Sequence, residues 1–223
     1  MIKIVSQKVI DLLAYKQGIL FVLKENANDG QKISFYSYDA KSKSIASVTK
    51  NAYLMTKFGP AYANITDCLD DYISCEAQRI ADGRVFVVYP GGELGVFSDQ
   101  GELMHVEKLS YANKAIRSIA SDGHDLWLAV PDSNLLVRYN CEKMRIDMRI
   151  GNRNKTSFAT PISVSYNKGY LYVCCKNTNS VSAVSLNDFT VEHLMDFNEP
   201  VLQYQQIDKD AFAVMASGVY QID

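Results

Sequence analysis

The chain has 223 residues, 48% of them hydrophobic, 22% charged and 11% aromatic, which is an ordinary globular composition able to bury a sizeable core. Its 23 basic and 25 acidic side chains leave a formal net charge of -2, so the broad basic field that nucleic acid or anionic membrane requires is missing. No run approaches the roughly 18 consecutive apolar residues of a membrane-spanning helix, and neither nucleic acid nor membrane is an expected partner.

The first element is a short alternating strand, Ile2–Val5, followed by a polar break. It lacks the apolar core of about 7–15 residues that a secretory signal carries. A four-strand unit then begins. Its strands are Val9–Tyr15, the aromatic-centred Gly18-Ile19-Leu20-Phe21-Val22-Leu23, a strand ending in Tyr38-Asp39, and Ser44–Lys50. Asp side chains bond the backbone two residues on and suit turns, so Asp39 marks a hairpin reversal.

The next stretch, Asn51–Tyr72, is an excess of about 20 residues over a normal unit and reads as a long loop or a degenerate pair of extra strands. It carries Phe58-Gly59-Pro60 and the acidic run Asp67-Cys68-Leu69-Asp70-Asp71, while Tyr53, Phe58, Tyr62 and Tyr72 argue for order. A second unit follows, with Ile73–Ile80, Gly83-Arg84-Val85-Phe86-Val87-Val88, a turn at Ser98-Asp99, and Glu102–Leu109.

Three further units repeat the plan. The third has Ala115–Ala120, Asp125-Leu126-Trp127-Leu128-Ala129-Val130, Tyr139-Asn140 and Met144–Ile150. The fourth has Ile162–Tyr166, Gly169-Tyr170-Leu171-Tyr172-Val173-Cys174, Leu186-Asn187 and Thr190–Phe197. The fifth has Val201–Ile207, Asp210-Ala211-Phe212-Ala213-Val214-Met215 and Ile222-Asp223, where its last strand should begin.

Superposing the second strands puts Phe21, Phe86, Trp127, Tyr172 and Phe212 in one column, with successive spacings of 65, 41, 45 and 40 residues. Three of these match a propeller blade of about 40–45 residues, and 65 contains the insertion. The reading is therefore an all-β, five-bladed β-propeller of four-stranded antiparallel blades in one domain, residues 1–223. The spare strand Ile2–Val5 completes the last blade and closes the ring, which hides strand edges.

Through the Gly-x-Leu-aromatic-Val strands and the Asp/Asn turns, the chain resembles the NHL- and YVTN-type repeat propellers. That resemblance implies interaction or ligand binding and leaves activity open. The tryptophan-aspartate signature is missing, since Leu128 follows the only Trp, and Gly91-Gly92 occurs once rather than in every blade.

Chemistry-bearing residues are scarce. Cys68, Cys75, Cys141, Cys174 and Cys175 are odd in number and lack a disulfide rhythm, so they read as reduced thiols in a cytoplasmic protein. The histidines His105, His124 and His193 do not have metal-ligand spacing, no phosphate loop is present, and no metal or cofactor is expected. The alternation of Arg145, Asp147 and Arg149 with Met144, Ile146, Met148 and Ile150 suits a charged outer edge, with a local anion patch including Arg138 as the alternative.

Counting ten residues back from each column aromatic selects Asp11, Glu76, Arg117, Ile162 and Leu202 as channel-lining positions. The loops Asn51–Tyr72, Ser110–Lys114, Gly151–Ala159 and Asn198–Pro200 should share one rim with the turns Glu25–Gln31, Pro90–Gly92, Pro131–Asn134 and Lys176–Ser180. The leading expectation is a non-catalytic scaffold presenting that rim to a protein or a small polar ligand, with Tyr111, Arg117 and Arg153 as binding residues. The alternative is a hydrolase or lyase, because five-bladed propellers also carry glycosidase and cyclase activities. It would use Asp11 and Glu76, or Asp67, Asp70 and Asp71 from the insertion, given that glycosidase chemistry wants two carboxylates about 5–9.5 Å apart.

Overall fold

The computed structural model describes residues 1–27, 30–62, 83–89, 92–151 and 157–222. It is a five-bladed β-propeller. Blade 1 runs β2 (Val9–Tyr15), β3 (Gly18–Ala27), β4 (Gly30–Asp39) and β5 (Ser44–Ser47) in sheet order, and every neighbouring pair is antiparallel. Blade 2 contributes β6 (Val85–Val88), β7 (Glu93–Phe97) and β8 (Leu103–Lys108), and its expected first strand, Ile73–Ile80, lies outside the described residues. A small hairpin of β9 (Ser110–Tyr111) and β10 (Lys114–Ala115) leads into blade 3, made of β11 (Ser118–Ser121), β12 (Leu126–Val130), β13 (Leu135–Asn140) and β14 (Arg145–Ile150).

Blade 4 comprises β15 (Pro161–Asn167), β16 (Tyr170–Cys175), β17 (Ser180–Ser185) and β18 (Val191–Asp196). Blade 5 has β19 (Val201–Ile207), β20 (Asp210–Met215) and β21 (Gly218–Ile222), and its fourth strand is β1 (Ile2–Val5). The register of that closing pair sets Ile2 against Gln221, Lys3 against Tyr220 and Val5 against Val219. The ring closes as the sequence predicts.

Packing follows from the alternation of each second strand. In β12, Leu126, Leu128 and Val130 pack into the core shared with blades 1 and 2, while Trp127 and Ala129 face blade 4. In β16, Val173 and Cys175 face blade 3 and Cys174 faces blade 5, so the adjacent thiols point to opposite faces as expected. Phe212 and Val214 pack against blade 1. The innermost strands are also stitched by hydroxyls: Val164 N–H donates to Ser118 Oγ at 3.2 Å, and Ser165 Oγ donates to the Tyr204 carbonyl at 2.5 Å.

The aromatic column needs one correction. In blades 3, 4 and 5 the residues Trp127, Tyr172 and Phe212 pair with Ala120, Ser165 and Gln205, each at the same distance from its hairpin, while the strand that would set the level of Phe86 lies outside the described residues. In blade 1 that level is filled by Leu20, opposite Leu13, and Phe21 sits one residue further on. Phe21 therefore faces blade 5 rather than blade 2. The slip comes from the glycine used to align the strands. Gly169 lies inside its turn, whereas Gly18 is already the first paired residue, where a Cβ would lie 1.9 Å from the Tyr38 carbonyl oxygen.

The start of the insertion is neither loop nor strand. Residues Lys50–Phe58 form helix α1, capped by Thr49, whose Oγ1 accepts the Ala52 N–H at 3.2 Å. Gly59 ends it in a positive-φ conformation, and Pro60 prevents its continuation. Tyr53, Leu54, Lys57 and Phe58 are buried, a spacing that puts them on one helix face against blades 1 and 2. The acidic run Asp67–Asp71 and Tyr72 lie outside the described residues.

Candidate functional site

Asp11 lies on β2, 2% exposed, and its carboxylate is fully engaged. Oδ2 accepts from Lys57 Nζ at 2.7 Å and from the Tyr53 hydroxyl at 2.7 Å, and Oδ1 accepts the Leu12 N–H at 3.0 Å. A general base needs a lone pair facing substrate, whereas Asp11 faces a helix that covers it. Its proposed partner Glu76 lies outside the described residues. The sequence did not identify Lys57 as the counter-ion, because its place one helical turn from Tyr53 has meaning only once residues 50–58 are a helix.

Three innermost strands carry a bulge near their start. Ile10, Ile162 and Leu202 are the residues skipped in the pairing of β2, β15 and β19. In blade 3 the Arg117 N–H reaches the Ala129 carbonyl at 3.1 Å just ahead of the Ser118–Ala129 pair, which puts Arg117 at the same level. Bulges re-aim side chains, and Arg117 and Leu202 are exposed on otherwise largely buried segments. The ten-residue count thus groups Arg117, Ile162 and Leu202 correctly. Asp11 belongs one level further along, with Ser118, Ser163 and Gln203, because its reference aromatic was itself one residue out of place.

The expected rim is continuous across blades 3 and 4. Tyr111 sits on β9, half-buried against the core, and its hairpin turns through Ala112 and Asn113, both at positive φ. Strand β10 packs against the 3-10 turn Pro131–Ser133 between β12 and β13. The Thr160 N–H donates to Asn134 Oδ1 at 2.8 Å, and the Lys176 N–H donates to the Thr160 carbonyl at 3.0 Å. Interblade loops and second-to-third-strand turns therefore join into one surface. Arg153 lies outside the described residues.

On this rim, blade 4 opens a cleft of about 390 Å³ lined by Cys175, Thr178, Ser180, Ser182 and His193 among others. The cross-strand pairs Cys175–Ser180, Ser180–Asp196 and Ser182–His193 bring these side chains to one face. Asp196 lies within 3.1 Å of His193 Nε2, with both side chains exposed, as expected of outer-strand positions. Burial pushes the Cys175 thiol above its ordinary range despite hydrogen bonds from Ala159 and Ser182. A thiol held neutral is a weak nucleophile, so what the cleft offers is the hydroxyls of Thr178, Ser180 and Ser182 beside the exposed His193–Asp196 pair. Its signal in the sequence was the alternation of Ser180 and Ser182 opposite Cys175.

Elsewhere, Arg138 Nε donates to Asp147 Oδ1 at 2.9 Å, which commits it to the outer edge of blade 3 rather than to an anion patch. Among the described residues no three His, Cys, Asp or Glu side chains converge as metal ligands, and no helix is long and apolar enough to cross a membrane.

No model of a known protein family matches the chain, and no curated protein matches it. Solved structures do. Hydrazine synthase of Kuenenia stuttgartiensis superposes with a TM-score of 0.50 at 12% identity, over 66% of this chain and 45% of that one. A computationally designed protein, Ika8, superposes with a TM-score of 0.50 at 11% identity, over 96% of this chain and 58% of that one. The chain spans less than two thirds of the length of either. At these identities the likeness concerns the fold alone. The chain is a repeat β-propeller, with five blades.

Proposed function

We propose that the protein is a non-catalytic binding scaffold that presents the rim of blades 3 and 4 to a protein partner or a small polar ligand. The observation that carries this reading is the continuous rim itself, in which the Tyr111 hairpin packs on the Pro131–Ser133 turn and hydrogen bonds run from Asn134 through Thr160 to Lys176, opening into a polar cleft. Such a surface is held rigid by the blades beneath it while its own polar groups stay available. The buried Asp11–Lys57 pair counts against carboxylate chemistry in the channel, because the one described candidate acid is already spent on structure.

A partner captured from the native source and purified supplies the test. A titration of that partner against Tyr111→Ala, Arg117→Ala and Arg153→Ala should show at least tenfold weaker binding at a temperature where each variant is fully folded. Binding unchanged in all three variants would move the interface away from this rim.

A further inference from the structure

The opposite rim holds a second concavity, of about 720 Å³, across the seam between blades 5 and 1. Four lysines border it: Lys16 from the β2–β3 turn, Lys41 and Lys43 from the β4–β5 turn, and Lys209 from the β19–β20 turn. All four are exposed, and among the described residues none forms an ion pair. Two carboxylates share the cleft. Asp208 forms an exposed ion pair with Lys168 Nζ at 2.5 Å, and Asp210 Oδ1 accepts from Gln221 Nε2 at 3.1 Å. Gln221 is buried and oriented by the Tyr38 hydroxyl, which donates to its Oε1 at 2.8 Å.

The cleft is therefore polarised. Its mouth carries four ammonium groups without ion-pair partners among the described residues, of which Lys16 Nζ also lies over the Tyr15 ring at 4.9 Å, its floor offers a carboxylate and an amide, and Ile207 and Ala40 are its apolar lining. Ammonium groups suit phosphate oxygens. A carboxylate floor repels an anion but accepts hydroxyl hydrogens, and a flat apolar wall suits the face of a sugar ring. The volume falls within the range of small-molecule sites, about 300–1,000 Å³. We infer that this seam cleft binds a small phosphorylated sugar, with phosphate at the lysines and hydroxyls at Asp210 and Gln221.

Calorimetric titration at low salt with glucose 6-phosphate, inorganic phosphate and glucose separates the contributions. Glucose 6-phosphate should bind saturably below millimolar concentration, at least tenfold more tightly than phosphate or glucose alone. Lys43→Gln with Lys209→Gln should weaken it tenfold or more, and both side chains are exposed, so the fold is kept. Asp210→Asn should weaken glucose 6-phosphate more than phosphate. Equal affinity for phosphate and the sugar phosphate would overturn the role of the floor, and no saturable binding at millimolar glucose 6-phosphate would overturn the site. Because the cleft lies on the other rim, neither result bears on the scaffold reading.

Discussion

Lys57 Nζ lies 2.7 Å from Asp11 Oδ2, with 0% and 2% of the two side chains exposed. This contact fixes helix α1 to the innermost strand of blade 1, and the Tyr53 hydroxyl completes the shell around the carboxylate. Removing one partner strands the other charge in the core, which typically costs about 3–5 kcal/mol, whereas replacing both by apolar groups is often close to neutral. Urea unfolding should thus show Lys57→Met strongly destabilised and Asp11→Leu/Lys57→Met nearer to the wild type. A single variant within about 1 kcal/mol of wild type would rule out a structural role for the pair.

The elevated Cys175 thiol predicts an alkaline weakness. Its folded pKa lies above the unfolded value, so the stabilisation is complete below the unfolded pKa and is lost as pH rises through the folded one. Wild-type stability should begin to fall above about pH 8.5, more steeply than that of Cys175→Ala. Parallel pH profiles for the two proteins would contradict the burial of this thiol.

Closure of the ring hangs on Gly218. Its φ is +137°, and a Cβ there would lie 1.9 Å from the Val5 carbonyl oxygen. Gly218→Ala should cost about 2 kcal/mol or more by thermal or chemical denaturation. Deleting residues 2–5 uncovers the β21 edge, so that variant should form oligomers detectable by light scattering. A deletion variant that stays monomeric with an unchanged melting temperature would be inconsistent with this closure.

The rim hairpin contains a correctable strain. Ala112 holds φ at +49°, a conformation that a side chain without local hydrogen-bonding capacity adopts reluctantly. Ala112→Asn suits such a turn and should stabilise the protein by roughly 0.5–1 kcal/mol. Since Tyr111 is on the adjoining strand, partner affinity should hold or improve. A loss of stability would show that the turn adopts another conformation in solution.

The ring was legible in the sequence because each blade repeats a local signal, an aromatic-centred strand bounded by turn residues. Local signals also located the rim, since which loops gather there follows from strand order alone. What escaped notice depended on contacts distant in sequence or on a single-residue phase. Helix α1 was hidden because it is short and Lys57 interrupts its apolar face, and that lysine makes sense only once Asp11 is seen opposite it. The misplacement of Phe21, and of Asp11 with it, came from treating Gly18 and Gly169 as equivalent when one is paired and the other lies in a turn.

The pairing of Ile2–Val5 with Gly218–Ile222 has a temporal consequence. Among the strands of the ring, this one emerges first from the ribosome, yet it has no native neighbour until β21 has been made. It must stay unpaired while the intervening blades assemble, and joining it closes a loop spanning nearly the whole ring. The entropy of such closure grows only slowly with length, but contacts this remote in sequence slow the search. Docking of the earliest strand is accordingly the step that converts a row of blades into a propeller.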